Sequence, residues 1–301
     1  MKRRHFLGSI AASTLLPKAS AGENGKPLLR FGVITDAQYV DAEAQGERHY
    51  RSTPEKLKQA VETLRAADLA FTLHLGDLID REFKSFDTML PLLAGLGHPV
   101  HHLLGNHDYS VADAEKGRVT QVLGMPHDYY TFRSNGIRFV MLDTNDASIY
   151  KEPEESARSK DAEKMLARIK EAKQAGAAPY NGGLSTGQLA WLERELSAAD
   201  AAKEAVIVCG HHPLLPAETH QAWDAAEVVA VLGKHPCVLA YFNGHNHAGG
   251  FAEQDGIPYV TFRSILFHPG INAFSVVEVY PDRIAIQGHG REASRMLQRR
   301  A

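Results

Sequence analysis

Short apolar runs with little polar alternation recur along the chain and predict strands that are buried on both faces. Five of them lack internal proline and are typical of an α/β sheet. They are Leu28–Thr35, Leu69–Leu75, Pro99–Leu104, Ala205–Cys209 and Val238–Phe242. Further strands are predicted at Gly136–Leu142, Tyr259–Phe262, Phe274–Val279 and Arg283–Gln287. Because the last of these alternate more, we expect part of the sheet to be antiparallel.

Helical periodicity lies between these strands. Thr53 is predicted as an N-cap with Pro54 at the first helical position, and apolar residues follow at helical spacing. Ser185–Gln188 has the form of a capping box before a leucine stripe. The charged stretch Glu154–Ala175 predicts a solvated surface helix, or one that borders a substrate cleft. With no internal repeat or composition break, the pattern favours one α/β domain over residues 28–295.

The first residues have the pattern of an export signal. Lys2, Arg3 and Arg4 precede a short apolar run, and Ala19-Ser20-Ala21 forms a small-x-small cleavage pattern. The twin arginines and the following residues resemble the twin-arginine signal, and the run is shorter than the roughly 20 residues that span a bilayer. We therefore expect residues 1–21 to be a cleaved signal read by the twin-arginine export machinery, rather than an anchor. The mature protein would be periplasmic or secreted.

The composition excludes several classes of protein. The 301 residues, 44% hydrophobic and 23% charged, exclude a disordered chain, collagen and a coiled coil. The signal region holds four bases and no acid, so the remaining chain is more acidic than the net charge of −3. Such a chain is a poor binder of nucleic-acid backbone. Cys209 and Cys237 are expected to be buried free thiols, because their strand positions place them about 20 Å apart.

Polar side chains follow the carboxyl ends of the five apolar strands. In an open α/β sheet these turns converge, and a lone polar turn is usually a cap, but five together favour a site. A glycine precedes the key polar residue in four of them, which permits tight turns. The clusters are Asp36-Ala37-Gln38, Gly76–Arg81, Gly105–Asp108, Gly210–His212 and Gly244–His247.

The donor types of these clusters suit a pair of metal ions. Carboxylate, amide oxygen and imidazole without thiolate suit divalent Mn, Fe, Co or Zn, and the 16 histidines strengthen that expectation. Two such ions about 3.5–4 Å apart polarise phosphoryl oxygens and lower the pKa of a shared water. This chemistry hydrolyses a phosphate ester or anhydride.

The same motifs, in this order, resemble the calcineurin-like metallophosphoesterase superfamily. One position departs, since Gln38 stands where most members have His, and this change resembles the branch of manganese-dependent ADP-ribose/CDP-alcohol diphosphatases. The resemblance implies an α/β/β/α sandwich of two mixed β-sheets flanked by helices. Further stretches similar to that branch are Ile34–Tyr39, Tyr50-Arg51, Tyr180–Ser185, Gln188–Leu192, Gly244–Gly250, Tyr280-Pro281-Asp282 and Gly288–Arg291.

Carried over residue by residue, the resemblance implies two metal groups. One would be Asp36, Gln38 and His247, and the other Asn106, His211 and His245, with Asp77 bridging. His107 would act on the leaving-group oxygen as general acid or charge stabiliser, and Asp80 would orient it. A metal-bridging hydroxide would attack phosphorus. Candidate substrate contacts, with packing or a surface ion pair as the alternative, are Arg81, Tyr39, Tyr50, Arg51 and Asn181.

The function expected from this resemblance is hydrolysis of the phosphoanhydride bond in nucleoside diphosphate derivatives such as ADP-ribose and CDP-alcohols. Two divalent ions would be the cofactors, with Mn expected and Fe, Co or Zn as alternatives. An exported phosphomonoesterase or cyclic-nucleotide phosphodiesterase with the same metal site is the alternative. An inactive metal-binding scaffold fits poorly, because the ligand set and His107 are complete. The oligomeric state is left open. His212 is not expected to be a ligand, and His74, His101 and His102 are expected to be structural.

Overall fold

Two six-stranded sheets organise residues 25–300, the part of the chain that the computed structural model describes. The export-signal prediction for residues 1–21 lies outside these residues. The first sheet has the order β12-β11-β10-β1-β2-β3 and the second β4-β5-β6-β7-β9-β8. The strands are β1 Leu29–Ile34, β2 Thr72–Leu75, β3 Val100–Leu103, β4 Tyr130–Ser134, β5 Ile137–Met141, β6 Ala205–Cys209, β7 Val238–Asn243, β8 Gly250–Gln254, β9 Ile257–Thr261, β10 Ala273–Val279, β11 Arg283–Gly290 and β12 Arg295–Gln298.

Both sheets are mixed, as the family resemblance implies. In the first, β1, β2 and β3 are parallel and β10 to β12 are antiparallel. In the second, β5, β6, β7 and β9 are parallel, while β4 and β8 run antiparallel at the edges. The strands that the sequence missed, β4, β8 and β12, are all edge strands. Their partly exposed positions give no continuous apolar run.

Helices cover the outer faces of the two sheets. Along β6, Ile207 and Cys209 face the core between the sheets, whereas Val206 and Val208 pack with residues of α6 (Thr186–Ala202) and α7 (Ala225–Lys234). Burial on both faces explains the unbroken apolar run of this strand. The α/β/β/α prediction is therefore confirmed. The helices are α1 Thr53–Arg65, α2 Phe86–Ala94, α3 Asp113–Lys116, α4 Val119–Val122, α5 Ala157–Glu171, α6 Thr186–Ala202 and α7 Ala225–Lys234.

An aromatic cluster joins the sheets. Phe31 of β1 stacks on Phe71 with ring centroids 5.1 Å apart, and both rings meet Phe139 of β5 edge-on. Phe132 of β4 also contacts Phe71 edge-on at 5.2 Å. These contacts fix the two sheets face to face.

One of the predicted helix starts is wrong by one residue, and another is confirmed in its N-cap. The N-cap of α1 is Ser52, and Thr53 is already helical and buried, with its hydroxyl donating to the Tyr50 carbonyl. At α6 the N-cap prediction is confirmed, because Ser185 Oγ accepts from the Gln188 amide. The reciprocal bond of a capping box is absent among the described residues. The Gln188 side chain instead bonds the backbone of Asp143, which anchors α6 to the turn after β5.

Two further local predictions concern helix α5 and the two cysteines. Helix α5 lies within Glu154–Ala175 and packs its apolar face on Trp223. Its residues do not line the cleft described below. Cys209 and Cys237 are both buried and free, as expected. No helix within residues 25–300 has the length and apolar character needed to cross a membrane.

The end of α6 generates a stability prediction. Its C-cap residue, Lys203, is exposed and lies in the left-handed region with φ of 55°. A Cβ is disfavoured there, so Lys203→Gly is expected to raise the free energy of unfolding by about 1 kcal/mol in urea denaturation. Lys203→Ala keeps the Cβ and is the control. Equal stabilisation by both variants would attribute the effect to the lost charge and contradict the backbone argument.

Candidate metal centre

The turns after β1, β2, β3, β6 and β7 bring all seven predicted metal ligands to one place. Each of these residues is at most 7% exposed. The first three turns belong to one sheet and the last two to the other, so the site lies where the carboxyl edges of both sheets meet. The structure brings the set together, and its role in metal binding stays a prediction.

Asp77 lies at the centre of this set. Its Oδ2 accepts a hydrogen bond from Gln38 Nε2 at 2.8 Å and lies 3.3 Å from His211 Nε2. Its Oδ1 accepts from the backbone amide of His107 at 2.8 Å. Burial alone would raise the pKa of this carboxyl, but His211 and His107 hold that pKa well below its usual range. Asp77 is thus ionised and touches residues of both predicted metal groups, as a bridging ligand must.

The ligand turns are backbone-strained. Asp36, Gln38, Asp77 and His245 have φ values of 53°, 44°, 58° and 67°. Left-handed backbone at non-glycine residues costs about 1–3 kcal/mol each and clusters at functional sites. Backbone bonds hold these turns, including Asp36 N to the Gly76 carbonyl at 3.0 Å. The strain indicates that side-chain placement, rather than local stability, selects these residues.

The predicted need for glycine before the polar residues has a steric basis at Gly105. A Cβ at this position would lie 2.1 Å from Asp77 Oδ1 and 2.6 Å from His211 Cε1. No larger residue fits without displacing the central carboxylate or an imidazole. The glycine is therefore required by packing against the site itself.

Hydrogen bonds select which histidine nitrogen faces the centre. His211 Nδ1 donates to the Leu75 carbonyl at 2.8 Å, which leaves Nε2 facing Asp77. Asn181 donates its amide hydrogens to the carbonyls of Gly176 and Thr219, so its Oδ1 can only accept from His245 Nε2, at 2.8 Å. His245 Nδ1 is then the free ligand atom, 3.2 Å from His211 Nε2.

This bonding corrects the prediction for Asn181. Its amide is fully buried and has every polar group engaged, so it does not present itself to a substrate. It orients a predicted metal ligand instead, as outer partners of ligating histidines do. The sequence stretch around Asn181 indicated its importance but not this role.

The remaining polar atoms fit metal ions. Among residues 25–300, Asp36 Oδ1 and Asn106 Oδ1 are buried without a hydrogen-bond partner, which is costly unless a ligand satisfies them. Asp77, His211 and His245 also place one ligand atom each within 4.8 Å of one another. For Gln38, a half turn of the amide would exchange Nε2 for Oε1 beside Asp77 and His247.

Protonation supports the same fit. Burial opposes a charge on His211, yet Asp77 raises its pKa to about 9. Burial and the adjacent imidazoles hold the pKa of His245 well below its usual value. A cation that binds to His211 Nε2 must therefore displace the proton that this nitrogen carries.

His107 and Asp80 form a pair beside the cluster. His107 Nδ1 lies 2.8 Å from Asp80 Oδ1, so its Nε2 is left to meet a ligand. Burial lowers the pKa of His107, but Asp77 and Asp80 more than offset it, and the net pKa is raised. Arg81 contacts the other Asp80 oxygen at 3.0 Å and lies over the Tyr50 ring. For Arg81 the structure therefore favours the ion pair, which was the alternative to a substrate contact.

The other predicted substrate contacts face away from the cleft or lie beneath it. Tyr50 is buried against Val40 and Leu266, and Tyr39 packs against the core between the sheets. Arg51 is exposed and paired with Asp41 and Glu43. For all three, the structure favours packing or surface pairing over substrate contact. Their branch-like segments gave no information on side-chain direction.

The structure also shows cleft residues that the sequence did not single out. An open cleft of about 810 Å³ lies over the predicted ligands. Arg48 lines it, with a long 3.4 Å contact to Gln38 Oε1 and no carboxylate partner among the described residues. In the sequence, the only indication that Arg48 lies in the cleft was its proximity to Tyr50-Arg51. The remaining cleft side chains outside the predicted set include Ser110, Tyr150, Tyr180, His220, Asn246 and Phe267.

The predicted non-ligand histidines lie behind or away from the cleft. His212 is buried, with Nδ1 2.7 Å from Thr144 Oγ1. His74 and His102 pair inside the first sheet at 3.2 Å, and His101 stacks on Phe132. These contacts agree with structural roles.

Most of the chain matches a known protein family. Residues 29–249 match the family model described as calcineurin-like phosphoesterase. The chain belongs to the calcineurin-like phosphoesterase family. It is therefore a metallophosphoesterase, a hydrolase acting on phosphate bonds.

The relatives of this phosphoesterase are similar over nearly their full length. A manganese-dependent ADP-ribose/CDP-alcohol diphosphatase from Oryza sativa subsp. japonica is 31% identical, over 89% of this chain and 93% of the relative. The human protein of that name is 29% identical, over 91% and 94%. A dimetal phosphatase structure from Danio rerio superposes with a TM-score of 0.82 at 27% identity, covering 91% of this chain and all of that chain.

The His107–Asp80 pair generates a pH prediction. If protonated His107 is the acid, activity falls as pH rises through its raised pKa. Asp80→Asn removes a charge that raises this pKa, so the alkaline limb of the kcat/KM profile should move to lower pH. The control is Asp87→Asn, an exposed acid on α2. An alkaline limb that stays in place in Asp80→Asn would contradict the role of the pair.

Proposed function

We propose that this phosphoesterase hydrolyses the phosphoanhydride bond of ADP-ribose and CDP-alcohols, with two Mn²⁺ ions as cofactors. The observation that carries the proposal is near full-length similarity to diphosphatases of that name, combined with a buried Gln38 in the ligand cluster. The cleft also suits a nucleotide, because it offers ring surfaces at Tyr180 and Phe267 and a cation at Arg48.

The residues divide the chemical work as follows. Asp36, Gln38 and His247 would hold one ion, Asn106, His211 and His245 the other, and Asp77 both. When bound, the ions supply Lewis acidity toward phosphoryl oxygens and a nucleophile at neutral pH.

His107 handles the leaving group. Asp80 accepts the Nδ1 hydrogen, so Nε2 carries the proton that His107 donates to the leaving oxygen. The raised pKa keeps that proton available near neutral pH. Arg48 contributes a positive charge to the same cleft for the second phosphate.

Product analysis tests the substrate. Residues 22–301 loaded with Mn²⁺ are expected to release AMP from ADP-ribose and CMP from CDP-choline, well above turnover of a 2′,3′-cyclic nucleotide or a simple phosphomonoester. Preference for the monoester or the cyclic nucleotide would contradict the diphosphatase proposal and favour the alternative.

The bridging role of Asp77 makes a separate prediction. The variant Asp77→Asn should lose both metal ions together, and its rate of hydrolysis should fall at least a hundredfold, because no bridging carboxylate remains.

We also propose that the protein is exported through the twin-arginine route, which would make external nucleotides its substrates. Support comes from the sequence of residues 1–21 alone. In fractionated bacterial cells, the protein without residues 1–21 should appear in the periplasm. The double substitution Arg3→Lys and Arg4→Lys should retain the uncleaved precursor in the cytoplasm. If the unsubstituted protein stays in the cytoplasm at full length, export is contradicted.

A further inference from the structure

Lys56 on α1 is a buried cation that no carboxylate neutralises within the described part of the chain. The residue is only 3% exposed. Its Nζ donates to three backbone carbonyls, those of Ile265, Phe267 and His268, the last two at 2.8 Å. All three belong to residues 264–268, the segment that follows β9 and Phe262, here termed the 264–268 loop.

Such an arrangement is costly and calls for an explanation. Lysine is almost never fully buried unless it is paired. Burial, with a smaller contribution from Arg291, lowers the pKa of Lys56 to about 8. An apolar side chain could fill the same space without this cost. The three converging carbonyls are therefore the feature that the ammonium serves.

The 264–268 loop contacts one predicted metal group at two points. The amides of Ile265 and Leu266 donate to the carbonyls of Thr35 and Asp36, at 3.2 and 3.1 Å. The Phe267 ring meets His247 edge-on, with centroids 4.7 Å apart. The loop thus supports both Asp36 and His247, the carboxylate and the imidazole of that group.

Phe267 also connects the loop to the cleft. Its ring is partly exposed and lines the cleft beside His247. Its backbone forms a bridge with Arg48, which lines the same cleft. A change in the loop would therefore move a wall of the cleft together with a predicted ligand.

We propose that Lys56 is a positioning residue for the Asp36–Gln38–His247 metal group. Its ammonium gathers the carbonyls of the 264–268 loop, and the loop presses Phe267 against His247. The inference rests on the proposed metal-dependent function. It predicts that loss of the ammonium weakens one metal site and leaves the Asn106–His211–His245 site intact.

Metal titration of the full chain separates this role from a merely structural one. In Lys56→Met, calorimetric titration with Mn²⁺ should show one of two sites weakened about tenfold or more, the usual effect of losing an outer-shell support. The other site should stay within about twofold. Lys58→Met, an exposed lysine on the same helix, is the matched control and should bind as the unchanged protein does.

A double-mutant cycle identifies the route. Phe267→Ala should reproduce the loss at the same site, and adding Lys56→Met to it should cause little further loss, because both act through one contact. Additive losses would overturn the proposed route. Should Lys56→Met fail to fold, Phe267→Ala alone decides, and normal binding at both sites would overturn the proposal.

The outcomes also distinguish this inference from the proposed function. If the unchanged protein binds no pair of Mn²⁺ ions, the proposed function fails and the inference with it. If it binds two ions and Lys56→Met binds them equally well, only the inference fails.

Discussion

The buried carboxylate of Asp77 is the interaction on which the rest of the site depends. It contacts Gln38 from the β1 turn, the His107 amide from the β3 turn and His211 from the other sheet. Asp108 in turn accepts bonds from the amides of Asp77, Leu78 and Gly105, which ties the β2 and β3 turns together. Burial and Asp77 raise the pKa of Asp108 to about 7. Two carboxyl groups packed this closely need hydrogen-bond donors around them. The turns are shaped so that their backbone amides supply these donors.

This concentration of charge explains why the supporting residues are so specific. Four predicted ligands occupy left-handed backbone, and Gly105 leaves no room for a Cβ beside the carboxylate. Neither feature favours local stability. Both persist because the two sheets and their helices over-determine the turns, and metal binding would repay the strain. Support therefore extends outward, to Asn181 behind His245 and to the 264–268 loop behind His247.

Agreement between sequence and structure was best where a side chain's position follows from its strand. The parallel strands β1, β2, β3, β6 and β7 were predicted to within a few residues, and their carboxyl ends meet although the strands belong to two sheets. The assignment of individual ligands on those ends came from the family resemblance, and it stays a prediction. The edge strands β4, β8 and β12 were missed, since a strand that is exposed on one side carries no apolar run. The Thr53 cap was misplaced by one residue because the preceding turn extends the helical signal.

Residue types and their spacing along the chain by themselves determined the α/β class, the glycine positions and the polar clusters at the strand ends, whereas the family resemblance implied the two-sheet sandwich and the individual metal ligands. The class, the glycines and the clusters depend on local pattern and on strand direction, which a single chain carries. The tertiary structure decided where the side chains in the loops point. Asn181 turns to His245, Arg51 to surface acids and Tyr50 into a small core, while Arg48 and Phe267 enter the cleft. Loop direction depends on contacts with distant segments, such as Lys56 with residues 265–268, and no local pattern encodes those.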